Sequence, residues 1–281
     1  MAEQQQRISF EFFPPKTEAG VEKLLGEVTP ALNALGPEFF SVTYGAGGST
    51  RDTTFGIVSA IREQGIDVAP HLSFGGDDEN AVGDLLDAYK EQGVKRLVAL
   101  RGDVPSGIGD ATHLVYANEL VQFVRERHGD HFEIEVAAYP EVHPEATSYD
   151  ADINYLKGKF AAGANSAITQ FFYNVEAYFY FLDQCAAIGI DKPIYAGIMP
   201  LHNYANIRRF AGNSGAEIPR WICQKMDGYG DDVESQRKFG LEVVTQLSQT
   251  IIESGAPGIH FYTMNQVEPT REIFNSLGLS S

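Results

Sequence analysis

The chain has 281 residues, with 38 acidic side chains against 21 Lys plus Arg and a net charge of -17 at pH 7. That balance argues against a nucleic-acid footprint, which needs a basic face; 43% hydrophobic and 21% charged residues argue against disorder. The length suits one α/β barrel of roughly 250 residues or about two smaller domains, with a core that needs no disulfide or metal staple.

In chain order, residues 1–7 are polar and carry no apolar signal-peptide core. A strand at 8–13 then leads to a helix at 21–35, 39–44 to 53–63, 67–72 to 81–91, and 96–100 to 114–127. The alternation continues with 133–139 and 153–162, 166–172 and 177–188, 193–198 and 203–211. Two more helical patterns, 219–226 and 234–253, precede a last strand at 258–263, and a final helix covers 269–277. Gly65, Gly93, Gly163 and Gly189 stand where helix C-caps are expected. Strands alternating with helices predict parallel pairing and right-handed crossovers. A closed (β/α)8 TIM barrel and a doubly wound open sheet both satisfy this. Eight strands, even spacing and the length favour the barrel, as one domain over 1–281 with extra helices before the last strand.

No window reaches the roughly 18 apolar residues of a membrane helix. Cys185 and Cys223 have no zinc or redox spacing and read as core thiols in a reducing, cytoplasmic setting. The histidines form no metal-ligand pattern, so no metal is expected. No nucleophile elbow is present.

A barrel carries its chemistry on the C-terminal ends of its strands, and unusual polar residues gather there. Glu11 lies inside the first strand; Thr43 and Tyr44 end the second and His71 the third. Arg101, Gly102 and Asp103 end the fourth. Tyr139, Glu141 and His143 end or follow the fifth, Gln170 lies in the sixth, and Thr263 and Asn265 end the eighth. The N-terminal ends show no comparable set. Glu11 could face solvent on an edge strand, but a barrel has no edge. An isolated carboxyl inside it should have a raised pKa and could act as a general acid. Arg101-Gly102-Asp103 reads equally as a salt-bridged turn or a ligand contact. Gln170 could bind a heterocycle edge or a backbone group. The loop from Gly45 to Thr50 lacks a complete dinucleotide or P-loop fingerprint, and Ser49 or Thr50 reads as a helix cap.

Specific motifs go further. Ile8-Ser9-Phe10-Glu11-Phe12-Phe13-Pro14-Pro15-Lys16-Thr17, Ser41-Val42-Thr43-Tyr44-Gly45-Ala46, Ala69-Pro70-His71-Leu72 and Leu100-Arg101-Gly102-Asp103 resemble segments of methylenetetrahydrofolate reductases. So do Ala137-Ala138-Tyr139-Pro140-Glu141-Val142-His143-Pro144-Glu145-Ala146, Ile168-Thr169-Gln170-Phe171-Phe172 and His260-Phe261-Tyr262-Thr263-Met264-Asn265, in the expected order along the whole chain. The resemblance implies FAD at the C-terminal rim, reduction by NADH or NADPH, and hydride transfer to methylenetetrahydrofolate in a ping-pong sequence giving 5-methyltetrahydrofolate for methionine synthesis. Glu11 matches the general acid, Asp103 a carboxylate near flavin and pterin, and Gln170 an amide that binds the pterin. Thr43, Tyr44, Ala46, His71, Arg101, Gly102, Asp103, Tyr116, Ala117, Tyr139, His143, Asp152 and Lys159 match positions that contact FAD.

Some positions depart from the family pattern. Tyr204 stands where a bacterial relative has a substrate-stacking Phe. Gln266 follows Asn265 where members commonly carry an Arg that would pair with the glutamate tail of folate. Tyr155 and Gly158 replace more polar residues near the adenine or phosphate end of FAD. The length implies no regulatory domain, and the family implies a homo-oligomer. Gln266 leaves open a related FAD- and folate-binding enzyme with another folate substrate or a methyl-transfer role.

Overall fold

The computed structural model describes residues 6–45, 50–74, 79–102 and 116–279. Eight strands, β1 (Arg7–Phe12), β2 (Phe39–Val42), β3 (Val68–Leu72), β4 (Arg96–Ala99), β5 (Glu133–Ala138), β6 (Ser166–Thr169), β7 (Ile194–Ile198) and β8 (Gly258–Tyr262), close in sequence order into one barrel. Every neighbouring pair is parallel, and β8 returns to β1. The open-sheet alternative is therefore excluded.

The first crossover is a helical run of α1 (Glu18–Lys23), a π-helical turn over Leu24–Val28, and α2 (Thr29–Asn33). Pro30 has no N–H to donate, and the Thr29 hydroxyl donates to the Leu24 carbonyl at 2.8 Å across the π turn. The remaining crossovers are α3 (Arg51–Glu63), α4 (Glu79–Glu91), α5 (Ala117–His128), α6 (Tyr149–Ala161) and α7 (Val175–Ala187). Between β7 and β8 lie α8 (Tyr204–Ser214), α9 (Arg220–Tyr229) and α10 (Val233–Glu253), and α11 (Thr270–Ser276) follows β8. Part of the helix expected at 114–127 falls outside the described residues; α5 begins after Tyr116, whose N–H donates to Glu119 Oε2 at 2.6 Å. Among the described residues no helix is long and apolar enough to cross a membrane.

Strand alternation splits the barrel into an apolar outside and a polar inside. Phe10, Phe12, Phe40 and Phe261 are fully buried, and Phe12 stacks on Phe40 at 5.0 Å between ring centroids. Each such side chain stabilises the helix–sheet shell by about 1.5–3 kcal/mol. Their strand neighbours Ser9, Glu11, Ser41 and His260 therefore point inward. Inside, a small separate cluster of Phe39, Ala69, Val98 and Ile168, with Leu100 and Tyr195 against it, fills the middle of the barrel.

Below that plug the structure corrects the sequence reading. The N-terminal end does hold a polar set. Glu135, fully buried, pairs with Arg7 and accepts from the Ser166 hydroxyl. Arg96 pairs with Glu38 and Glu133, and Arg7 Nε meets Glu38 Oε2 at 2.8 Å. The Arg7 guanidinium lies 4.3 Å from the Tyr195 ring centroid and 4.7 Å from that of Phe39. Charged residues at strand starts read as solvent-facing in sequence; the parallel register, which sets Arg96 beside Glu133, draws them together.

Candidate active site

A cavity of about 470 Å³ occupies the C-terminal side of the interior, above the apolar plug. Glu11, His71, Arg101, Tyr139, His143 and Gln170 line it, with Met199, Phe210 and Tyr262 among its apolar and aromatic walls. These six were all singled out in sequence, and the closed barrel brings them together from five different strands or the loops that follow them.

Glu11 is held from both ends of the strand array. The register sets Glu11 beside Ser41 on β2 and Tyr262 on β8. The Thr263 hydroxyl donates to the Glu11 carbonyl at 2.6 Å. Asn265 fixes the next turn: its Nδ2 donates to the Phe13 carbonyl at 2.7 Å, and its Oδ1 accepts from the Phe13 N–H at 3.0 Å. The Glu11 carboxylate then meets two imidazoles, with Oε2 at 3.2 Å from His71 Nε2 and 3.3 Å from His260 Nε2. The Ser41 hydroxyl donates to the same oxygen at 3.5 Å.

This arrangement overturns the raised pKa expected of Glu11. Burial would push the carboxyl up, but the charge of His71 and the hydrogen bonds from His260 and His71 outweigh it and hold Glu11 at about 2. The sequence reading assumed an isolated carboxyl, whereas the partners come from β3 and β8. At neutral pH Glu11 is therefore a carboxylate.

Arg101 and His143 also line the cavity, and Lys159 and Asp152 interact with His143. Arg101 Nη1 contacts Glu145 Oε2 at 2.5 Å. The His143 ring packs edge-on against Tyr139 at 4.6 Å, and the His143 backbone N–H donates to Asp152 Oδ2 at 2.8 Å. Burial, with Arg101 nearby, lowers the His143 pKa, and burial raises that of Asp152. Lys159 Nζ donates to the Ala137 carbonyl at 2.8 Å; burial pulls its ammonium down to about 8 despite Asp152. Arg101 and Lys159 thus supply local positive charge on an otherwise acidic protein, with the His143 ring as an uncharged partner beside them, a set that fits an anionic ligand carrying phosphates.

The other expected site residues divide. Thr43 and Tyr44 follow β2 at the same rim, and Thr43 is fixed by its N–H on the Phe12 carbonyl at 2.9 Å. Thr50 precedes α3 but accepts from Gly45 N–H at 2.7 Å rather than capping the helix. Gly102 has a φ of 80°, and a Cβ there would lie 2.6 Å from Ser73 Oγ, so only glycine fits the turn after β4. Gln170 uses Oε1 to accept from the Phe171 N–H at 3.0 Å, leaving its amide nitrogen for a ligand. Tyr116 and Ala117 sit at the start of α5 and do not line the cavity; Tyr116 is 56% exposed. Tyr204 is buried at the start of α8 with Arg208 Cζ 5.6 Å from its ring, outside the cavity lining. Gln266 is exposed after β8, with its N–H on the Thr263 carbonyl at 3.0 Å. Ala46 and Asp103 lie outside the described residues.

Sequence reasoning missed three contributors to the interior. His260 and Ser9 stand behind Glu11, and Tyr262 forms part of the cavity wall, its hydroxyl donating to the Thr169 carbonyl at 2.7 Å. Gly197 makes room for that ring: a Cβ there would lie 2.7 Å from Tyr262 Cε2 and 2.1 Å from the Thr169 oxygen. The alternation of His260 and Tyr262 on one face of β8 was the available signal.

The family model described as methylenetetrahydrofolate reductase matches residues 1–278. A protein of Pectobacterium carotovorum named 5,10-methylenetetrahydrofolate reductase is 42% identical over 99% of this chain and 93% of its own. The protein of that name from Escherichia coli strain K12 is 41% identical over 97% of this chain and 90% of its own. Among solved structures, a protein from Clostridium thermocellum described as binding two copies of 5-methyl-5,6,7,8-tetrahydrofolic acid superposes with a TM-score of 0.69. At 18% identity, over 99% of this chain and 94% of that one, it shares the fold. By the family match and the identity to these two bacterial proteins, the chain belongs to the methylenetetrahydrofolate reductase family.

Proposed function

We propose that this chain reduces 5,10-methylenetetrahydrofolate to 5-methyltetrahydrofolate, with FAD as the hydride carrier and NADH or NADPH as the donor. The observation that carries the reading is the presence, in one cavity, of the Glu11 carboxylate between two histidines and of the Arg101 guanidinium beside the His143 ring. When bound, FAD would supply the hydride chemistry, and the protein supplies placement and proton control. Arg101, His143 and Lys159 would hold its anionic parts, with Thr43, Tyr44, His71, Gly102, Tyr139 and Asp152 around it. Ala46, Tyr116 and Ala117 are proposed to join them by family resemblance.

Glu11 would pass a proton to the folate amine nitrogen whose bond to the bridging methylene breaks. The bonding pair stays on that nitrogen and the bridge becomes a reactive iminium carbon, which accepts the hydride. Because Glu11 rests as a carboxylate, it receives that proton from a neighbour rather than storing it. Gln170 would hold the pterin edge, and Asp103 is proposed to stabilise the cationic folate beside it.

Supplying the purified protein with methylenetetrahydrofolate and either NADH or NADPH tests the reading. Release of 5-methyltetrahydrofolate is expected. Oxidation of either nicotinamide with the folate left unchanged would contradict it.

A further inference from the structure

The loop after β5, residues 139–146, and the C-terminal turn of α8 supply two walls of the cavity. Tyr139, His143 and Glu145 come from the loop, and Phe210, Asn213 and Ser214 come from the helix. On one side the loop is fastened by groups already described: Asp152 accepts from the His143 backbone N–H, and Arg101 holds Glu145. Toward α8 the fastening is different. Glu141 Oε2 accepts from the Glu217 backbone N–H, in the connection between α8 and α9, at 2.8 Å.

The backbone on both sides is shaped for this contact. Val142 has a φ of 75°, which a β-branched residue adopts only under constraint from its surroundings. Gly215 ends α8 with a φ of 76°, its N–H on the Ala211 carbonyl. A Cβ at Gly215 would lie 3.0 Å from Pro144 Cγ and 3.4 Å from the Val142 oxygen, so the end of α8 sits directly against the loop.

The Glu141 carboxyl is only half provided for. Its Oε1 is buried without a hydrogen-bond partner among the described residues, and so is Ser214 Oγ. Both residues line a small cavity that shares Tyr139, Gln170, Phe171 and Ser214 with the main one, and no Lys, Arg or His lines it. The charged group acting on Glu141 from the α8–α9 connection is Glu217, which repels it; its own loop carries His143 and Glu145. Burial, with the Glu217 charge, pushes the carboxyl up to about 7 against the pull of the Glu217 N–H. A neutral carboxyl suits this place, since it keeps its acceptor and adds no charge. An ionised one would bury an unmet oxygen beside a like charge, and water relieves it only when the loop and the connection part.

We propose that Glu141 is a positioning residue that ties the two cavity walls together while its carboxyl is neutral and lets them part once it ionises. The inference deepens the proposed function, because the walls so tied are those assigned to FAD. Its sign follows from linkage. Below pH 4.5 the group is neutral whether the contact is closed or open. Between 4.5 and 7 the open form ionises first, so the closed fraction falls by up to about tenfold for each pH unit and levels off above.

Hydrogen–deuterium exchange of the flavin-free full chain from pH 5 to pH 8, corrected for the chemical exchange rate, reads the contact segment by segment. Peptides covering 139–146 and 212–218 should lose protection as pH rises to 7, while peptides from the barrel strands hold theirs. In Glu141→Gln, which keeps an acceptor but has no charge to gain, the two segments should show a flat profile. Unmodified protein whose two segments keep constant protection would overturn the proposal, even if the variant failed to fold. The same profile in both proteins would overturn it too. Fluorescence titration with FAD provides the second arm: the two proteins should bind alike at pH 5 and the variant several-fold more tightly at pH 8. Equal affinity at pH 8 would overturn the positioning role. If the unmodified protein binds no FAD at any pH, it is the proposed function that fails, and the exchange profiles still decide the tie.

Discussion

Arg101 Nη1 and Glu145 Oε2 stand 2.5 Å apart at the cavity rim, so a cation placed for an anionic ligand is held by a carboxylate. Glu145 is largely exposed, and the pairing with Arg101 lowers its pKa. An exposed pair of this kind is worth about 0.2–1 kcal/mol. Glu145→Gln should therefore release Arg101 and tighten flavin binding by about 1.5- to 5-fold, with the gain shrinking at high salt. Fluorescence titration of the flavin-free protein at low and high salt measures this.

Gln266 is exposed after β8 and brings no positive charge to that part of the rim. Gln266→Arg should lower the KM for polyglutamated folate by about 3- to 10-fold, the scale of one charge-assisted contact, with little change for a monoglutamate. Steady-state kinetics with both folate forms checks the difference.

Glu141 follows β5 and accepts from the Glu217 N–H at 2.8 Å. Burial raises its carboxyl from 4.5 to about 7, and the Glu217 hydrogen bond offsets only part of the rise. Below 4.5 the group is protonated in both folded and unfolded chains and costs nothing. As pH rises from 4.5 through 7, the unfolded chain ionises first and the folded state loses stability. Glu141→Gln keeps the acceptor and removes the charge. Its Tm should match that of the unmodified protein at acidic pH and exceed it increasingly up to neutral pH, levelling off above. Scanning calorimetry across that range decides it.

At the closed end, Glu135 is the buried anion shared by Arg7 and Ser166. Removing one partner of a buried pair costs about 3–5 kcal/mol where the other charge is left uncompensated, and here Arg7 would keep the partly exposed Glu38, which sets the expected loss at the low end. Glu135→Ala should lose stability on that scale in urea unfolding. The double variant that also replaces Arg7 with Met should recover part of the loss.

The barrel was legible because each strand is an apolar run flanked by turn residues, and eight such runs at even spacing leave few alternatives. The cavity residues were legible for the complementary reason: Glu11, His71 and Gln170 are polar where the pattern demands apolar residues. The ionisation of Glu11 was not legible, since it depends on His71 of β3 and on His260, 249 residues away in sequence, which meet Glu11 only once the barrel closes. The charged base was hidden for a similar reason. Arg7, Arg96 and Glu135 look like ordinary strand-end charges until the register gathers them. Tyr204 and Gln266 match substrate positions by motif but lie outside the cavity lining, because a motif fixes a place along the chain and not the rotamer or loop path that follows.

The most direct test of the central claim is a single-turnover measurement. Protein loaded with FAD is photoreduced without oxygen and mixed with methylenetetrahydrofolate. The account predicts that the flavin absorbance returns and that 5-methyltetrahydrofolate forms in an amount equal to the flavin reoxidised. Flavin that stays reduced in the presence of the folate would contradict it.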